Sequence, residues 1–199
     1  MNISRQIGWS NESNLLYQIL KQLTKLTGVI FNLTPKYKVY TALLTQSGGD
    51  DAKTIDSGEL TIGVTYLINQ DNSGDFTNVG APNNEAGTYF IATGTTPNSW
   101  GTNQLKYNTG APVVKVLENT IGNIWFEFND TGIYSCKSND LFITDKTAIF
   151  GGYYYGSTLV NVYYDLPAMA PYKFLIFTGD PSPANGYLKN TPIEIRVYN

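Results

Sequence analysis

The side chain that most enzymes use for proton transfer is absent from this chain, because its 199 residues include no histidine. Without imidazole there is no Ser–His or Cys–His pair and no histidine ligand for a metal. Ser47 and Ser57 lie in glycine- and aspartate-rich stretches without the G-x-S-x-G pattern of a nucleophilic serine. The chain also lacks the Walker A and G-x-G-x-x-G phosphate-binding patterns. These features predict a protein that is not an enzyme and carries no cofactor.

Carboxylates are the remaining candidates for chemistry. A glycoside-hydrolase site needs two carboxyl groups roughly 5–9 Å apart in a cleft. The available side chains are Glu118, Glu127, Asp130, Asp165 and Asp180. Most of them stand at turn signals, which favours a solvated role. The stretch from Asp71 to Asp75 offers oxygen ligands for calcium but lacks the spacing and distal glutamate of a known calcium loop. The sequence therefore predicts a plain turn there and no metal site.

Aromatic side chains could stack on sugar rings, and the chain has 15 tyrosines and 3 tryptophans. The candidate glycan contacts are Trp100, Tyr154 and Tyr163. Adjacent tyrosines on a strand point to opposite faces of a sheet, so some of these rings are expected at a surface or an interface. Packing in the core or between subunits is the alternative interpretation, and the sequence leaves both open.

One helix pattern precedes all the strand patterns, in residues 9–28. Four apolar residues recur at spacings of 3, 4 and 3, which is an a/d seam: Leu16, Ile19, Leu23 and Leu26. Leucine at a followed by isoleucine at d favours three or four strands over two, so these four residues are the predicted interface of a homotrimer. Gly28 predicts the end of the helix. Packing of the helix on the sheet of its own chain is the alternative.

The segments on either side of the helix have different predicted roles. Residues 1–9 form a short arm in which Ile3, Ile7 and Trp9 are apolar. The arm either anchors these side chains in a groove of a partner or is a disordered tail. Residues 10–34 are predicted as the oligomerisation helix and a connector, with an edge strand just before Pro35.

The rest of the chain alternates short apolar runs with Gly, Asn and Pro turns, which is typical of an antiparallel β-sandwich. A small β-module at 58–108 interrupts a parent domain made of 35–57 plus 109–199. The final run, Ile193 to Tyr198, places Glu194 and Arg196 on one face and predicts an outer strand. The predicted class is mainly β, with one N-terminal α-helix forming a short trimeric coiled coil.

Charge and cysteine content exclude several other classes. The net charge is −3, so no nucleic-acid partner is predicted. No run of about 18 apolar residues occurs, so no membrane partner is predicted either. The single cysteine, Cys136, cannot form an intrachain disulfide and is predicted to be a buried thiol in a protein that matures in a reducing cytoplasm.

Four segments stand out as sequence motifs: RQIGWSNESNLLYQILKQL, YKVYTALLTQSG, TGAPVVKVLENTIGNIW and the closing IEIRVY. Together they resemble a family of virion structural proteins from tailed phages of Bacteroidota, the crAss-like phages among them. Between the second and third stand LTIGVTY, GDFTNVGA and FIATGTTPNSW, which are similar to a small β-module found in many phage tail and fibre proteins.

The resemblance implies a virion component, assembled in the host cytoplasm, and supplies no catalytic residues. Some members of the family serve as head fibres or capsid decorations. On this expectation the N-terminal arm docks on a capsid or other virion protein, the helix trimerises and the β-domains project outward, with a possible role for host-surface attachment. A tail-associated module that binds a host surface glycan is the alternative, and a polysaccharide depolymerase is a second alternative.

Overall fold

The computed structural model describes residues 11–33, 36–70, 73–143, 145–151, 160–163, 173–179 and 182–199, without the side chains of 11–13, 27–33 and 160–163. The chain divides into two compact units, Met1–Lys36 and Tyr37–Asn199. The first unit contains a helix and the second contains the strands, so the predicted mainly β class with antiparallel sheets and one N-terminal helix is confirmed.

The helix, α1, spans Asn11–Leu33 and continues past Gly28. The predicted end at Gly28, and the edge strand predicted before Pro35, were wrong. A glycine inside a helix costs only about 1 kcal/mol relative to alanine, so it is a weak stop. Pro35 is the stronger one, since proline disfavours helical geometry in the residue before it. Within the described residues, no helix is both long and apolar enough to cross a membrane.

The strands form three antiparallel four-stranded sheets. In chain order they are β1 (Tyr37–Thr45), β2 (Ala52–Ile55), β3 (Thr65–Ile68), β4 (Tyr89–Ile91), β5 (Leu105–Asn108), β6 (Val113–Asn119), β7 (Ile124–Asp130), β8 (Ile133–Ser138), β9 (Thr147–Gly151), β10 (Val160–Tyr163), β11 (Lys173–Thr178) and β12 (Thr191–Tyr198). The first sheet has the order β6-β1-β12-β9, the second β10-β11-β8-β7, and the module sheet β2-β5-β3-β4.

The last strand is not at an edge. β12 pairs with β1 on one side and with β9 on the other, so the predicted outer position was wrong. Its alternation is as expected, because Glu194 and Arg196 share a half-buried face while Ile193 and Ile195 are buried on the other. Alternation reports that one face of a strand is solvated, and it carries no information about the neighbours of the strand within the sheet.

One core cluster draws on both the first and the second sheet. Tyr40 and Ile195 come from the first sheet, and Phe126, Tyr134 and Phe174 come from the second. The Tyr40 and Phe126 rings lie 6.3 Å apart, centroid to centroid. Cys136 is also in this cluster, which confirms the predicted buried thiol. Burial raises the pKa of that thiol well above its ordinary value.

The module has a hydrophobic core cluster of its own, which includes Tyr66, Phe76, Phe90 and Leu105. Its first strand, β2, begins six residues before the predicted boundary at 58, because Ala52–Ile55 pairs with β5. That strand was missed because its four residues, Ala52 to Ile55, do not alternate between apolar and polar side chains.

The module is packed against the parent domain. The Val114 backbone N–H donates to the Gly63 carbonyl at 2.8 Å, and the Asn123 Nδ2 donates to the Tyr89 carbonyl at 2.8 Å. The rings of Tyr89 and Trp125 stack 5.3 Å apart at an interplanar angle of 5°. Gly63 has a φ of +85°, and a Cβ there would lie 2.5 Å from the Val114 carbonyl oxygen, so glycine is required at this close approach.

Candidate interaction surfaces

The predicted seam of α1 is exposed to solvent in the single chain. The exposed fractions are 62% for Leu16, 45% for Ile19, 54% for Leu23 and 61% for Leu26. Burying a side chain of this size stabilises a protein by about 1.5–3 kcal/mol relative to leaving it exposed. Four such side chains in one row form an apolar surface that gains free energy when it is covered.

The flanking positions widen this surface. Leu15 and Leu20, at the g and e positions beside the seam, are exposed as well. The hydroxyl of Thr24, further round the helix, donates to the Leu20 carbonyl at 2.8 Å. Since the backbone of α1 is helical to Leu33, the sequence spacing 3-4-3-4-3 from Leu16 continues at Ile30 and Leu33.

Several predicted site residues lie outside the described part of the chain. These are the anchor residues Ile3, Ile7 and Trp9, the glycan candidate Tyr154, and the carboxylates of Asp165 and Asp180. The backbone of Tyr163 is in β10, but its side chain is also outside the described set. Those predictions stay predictions.

Trp100 is the glycan candidate with a described side chain, and it is engaged within the module. Its indole Nε1 donates to the Gly58 carbonyl at 3.2 Å. The ring meets Phe76 edge-on, with centroids 5.5 Å apart at 82°. The indole is half-buried and closes one end of the second core cluster. These contacts give Trp100 a packing role within the module.

The described carboxylates among the candidates are ion-paired or exposed to solvent. Glu127 is ion-paired with Lys137 at 2.6 Å and accepts a hydrogen bond from the Trp125 indole at 2.9 Å. Glu118 and Asp130 are exposed, and the Asp130 carboxylate accepts from the Thr131 backbone N–H at 2.6 Å. Across the described residues there is no group of three or more Cys, Asp or Glu side chains that could hold a metal ion.

Asp75 holds the module loops together. Its carboxylate accepts from the backbone N–H and hydroxyl of Thr77 at 3.0 and 2.6 Å, from the Asn98 amide at 2.9 Å and from the Asn84 amide at 3.4 Å. These hydrogen bonds, those from Thr77 foremost, hold the pKa of Asp75 well below its ordinary value. Every one of these contacts is internal to the module, which gives Asp75 a structural role.

The outer side of the first sheet carries an aromatic surface that the sequence did not predict. We call it the aromatic face and define it by Tyr37, Leu117, Phe150, Glu194, Arg196 and Tyr198. The Arg196 guanidinium carbon lies 4.7 Å from the centre of the Tyr37 ring and 5.0 Å from that of Phe150. Arg196 is also ion-paired with Glu194, and the rings of Tyr37 and Tyr198 are 5.4 Å apart.

A shallow groove crosses this face. Leu117 and Phe150 stand on its two sides, and Thr41 and Pro192 line it between them. The alternation of Glu194 and Arg196 was the only sequence signal for this surface. Its other members come from strands far apart in the chain, and the register that joins them is not visible in the sequence.

Comparisons of the chain with protein-family models, with curated proteins and with solved structures found no match. The functional interpretation therefore depends on the residues and contacts described above and on the resemblance of the four sequence segments.

Proposed function

We propose that this chain is a structural protein of a phage virion, a homotrimeric head fibre or capsid decoration. In this proposal α1 forms a short three-stranded coiled coil, and the first and second sheets of each copy form a β-sandwich that projects from the particle. The observation that carries the proposal is the exposed apolar seam of α1, in which Leu16, Ile19, Leu23 and Leu26 are each at least 45% exposed in the single chain.

The number of strands follows from the seam and its flanks. Leu16 at a and Ile19 at d favour three or four strands over two. Leu15 and Leu20 widen the apolar stripe beyond a and d, and a wider stripe suits a bundle in which more of each helix is covered. The extension of α1 to Leu33 supports self-association, because a longer helix is less marginal. The added pair, Ile30 at a and Leu33 at d, favours two strands, so the choice of three strands depends on Leu16 and Ile19.

The virion location is supported by the resemblance of the four segments to phage structural proteins. In the proposal Ile3, Ile7 and Trp9 insert into a groove of a capsid or other virion protein. The helix then lies at the junction between the particle and the projecting β-domains.

Imaging of phage particles that carry this chain with a labelled C-terminus tests the proposal. We expect the label on projections of the head, at some distance from the capsid surface. Label at the tail would favour the alternative of a tail-associated glycan-binding module. Purified particles without the label would contradict a virion role altogether.

A further inference from the structure

We propose that Asn185 is a site of deamidation, and that hydrogen bonds from outside its own loop hold the reaction back. Asn185 and Gly186 form the only Asn-Gly pair in the sequence, and they lie in the loop between β11 and β12. Glycine offers the least hindered backbone nitrogen for ring closure by the preceding asparagine, because it has no Cβ. The inference concerns the unit Tyr37–Asn199 alone and does not depend on the proposed trimer.

The reaction needs water as its co-reactant. The Gly186 nitrogen loses its proton and attacks Cγ of Asn185, so that a C–N bond forms and a cyclic imide closes. The bond from Cγ to Nδ2 breaks, and the side-chain amide leaves as ammonia. Water then opens the ring at one of its two carbonyls. The product at position 185 is aspartate or isoaspartate, and either one carries a new carboxylate.

The attacking nitrogen is held by Gln46, which directly follows β1. The Gly186 backbone N–H donates to the Gln46 Oε1 at 2.6 Å. Gln46 is 2% exposed, and its Nε2 donates to the Gly48 carbonyl at 2.5 Å, so the orientation of its side-chain amide is fixed. Loss of the Gly186 proton would break this hydrogen bond and place a nitrogen anion against an oxygen. The docked loop therefore opposes the first step of the reaction.

The carbon that must be attacked is held from the second sheet. The Asn185 Oδ1 accepts from the Gly132 backbone N–H at 2.8 Å and from the Tyr134 hydroxyl at 3.2 Å. Gly132 lies in the turn between β7 and β8, and Tyr134 lies in β8. Ring closure requires the Asn185 side chain to rotate onto the Gly186 nitrogen, and two fixed donors restrict that rotation. The reaction thus requires the loop to release both groups.

The position of the pair makes such a release feasible. Asn185 and Gly186 are both half-buried, so they lie at the surface of the β-unit and within reach of water. A surface loop opens locally with much less free energy than the whole unit needs to unfold. Isoaspartate also inserts a methylene into the backbone between the two residues. Gly186 could then no longer meet Gln46 in the same geometry, so conversion would prevent the loop from docking as before.

Matched variants of the full chain test this inference. Gln46→Met removes the acceptor of the Gly186 N–H, and Tyr134→Phe removes a donor to Asn185. Thr120→Val is the control, because it removes the side-chain hydrogen bonds between Thr120 and the backbone of Val39, toward the other end of β1. Each folded chain is incubated in mildly alkaline buffer, and peptide mapping by mass spectrometry measures conversion at position 185. Wild type unfolded in urea gives the rate without the hydrogen bonds.

The expected rates differ in a fixed order. Conversion in the folded wild type should be at least about tenfold slower than in urea, because reaction requires the loop to open. Loss of one hydrogen bond should raise the rate in the folded chain by roughly fivefold for Gln46→Met and by about threefold for Tyr134→Phe. Thr120→Val should leave the rate unchanged. Circular dichroism checks that each variant keeps its β signal, and Tyr134→Phe decides if Gln46→Met does not fold.

Three results would overturn the inference. Absence of conversion at position 185 in urea would overturn the modification site itself. Conversion that is as fast in the folded wild type as in urea would overturn the restraint by the fold. Rates that Gln46→Met and Tyr134→Phe leave unchanged, or that Thr120→Val raises equally, would overturn the role of these particular hydrogen bonds. The solution mass of the chain, which tests the proposed trimer, is a separate measurement.

Discussion

Helix α1 and the β-strands use the same kinds of apolar residue and differ in what covers them. On the strands every second side chain points inward, and the first and second sheets contribute to one core cluster in which Phe126 and Phe174 are fully buried. On α1 the seam residues Leu16 and Leu26 are more than half exposed. The unit Tyr37–Asn199 thus has an internal core, while the seam of α1 is exposed and, in the proposed trimer, is covered by other copies of the helix.

This difference separates two kinds of stability. The burial of Phe126 takes place within one chain, so the stability of the β-unit is independent of protein concentration. The burial of the seam, in the proposed trimer, takes place between chains and depends on concentration. Substitutions on the seam should therefore change the mass of the protein in solution. Substitutions in the core of the β-unit should change its free energy of unfolding.

The largest effect is expected from Leu23→Asp on the seam. Placing a carboxylate in an apolar interface without a partner is strongly unfavourable. We expect a fall in solution mass from three chains to one, with dissociation at least about a hundredfold easier, or roughly 3 kcal/mol. The β signal in circular dichroism should stay. Gln18→Asp, on the same helix and off the seam, is the control and should remain trimeric. An unchanged mass for Leu23→Asp would contradict the proposal that the seam holds the chains of the trimer together.

An effect of similar size, on a different observable, is expected from Phe126→Ala in the core of the β-unit. Removing a fully buried phenylalanine costs about 3–5 kcal/mol. Urea unfolding followed by tryptophan fluorescence measures this cost, best in the Leu23→Asp background, where unfolding involves one chain. Ile62→Ala, at an exposed site, should change the unfolding free energy by less than about 0.5 kcal/mol. Equal effects of the two substitutions would contradict the described core.

Asp75→Asn should weaken the module in a pH-dependent way. The folded-state pKa of Asp75 is lowered, so its contribution to stability is present above its unfolded pKa of about 3.9 and is lost as the pH falls through the lower folded value. The variant should melt below the wild type at pH 7, and the gap should shrink in acid. Thermal melts between neutral and acid pH measure this, with Glu85→Gln on the same module as control. A gap that stays constant with pH would contradict the role of the carboxylate.

The smallest effect is expected from Tyr40→Phe. The Tyr40 hydroxyl is buried and has no hydrogen-bond partner among the described residues. Removing it should leave the unfolding free energy unchanged or raise it by up to about 1 kcal/mol. Tyr134→Phe is the matched control, because the Tyr134 hydroxyl donates to the Asn185 side chain at 3.2 Å, and its removal should cost about 1 kcal/mol. If urea unfolding shows that Tyr40→Phe lowers the free energy of unfolding more than Tyr134→Phe does, the described surroundings of the two hydroxyls are contradicted.

Most of the strands could be predicted from the sequence, and their arrangement could not. β1, from Tyr37 to Thr45, is visible in the sequence because aromatic and β-branched residues recur along its nine positions. β2 was missed because its four residues are too few and do not alternate, so they carry no periodic signal. Its strand structure is defined by its pairing with β5. Alternation in the sequence shows which face of a strand is buried. Which other strand it pairs with depends on residues that are distant in the sequence.

Of the two candidate surfaces, the seam could be predicted from the sequence and the aromatic face could not. The seam could be predicted because its residues are neighbours on one helix, although Gly28 was given too much weight as a stop and Ile30 and Leu33 were left out. The aromatic face depends on a register that brings Glu194 opposite Phe150, and no sequence pattern reports that register. Trp100 was named as a candidate glycan contact because aromatic rings stack on sugars, and that prediction stays a prediction. The contact of its ring with Phe76 is visible only in the fold.

Cross-linking of a single cysteine on the seam is the most direct measurement of the proposed trimer. Cys136 is fully buried, so a new thiol at position 19 or 18 is the accessible one. A short bifunctional thiol reagent is applied to dilute Ile19→Cys, with Gln18→Cys as the off-seam control. Parallel helices in register predict covalently linked pairs of chains for Ile19→Cys and few for Gln18→Cys. Equal linking at both positions, or none at either, would contradict the parallel seam.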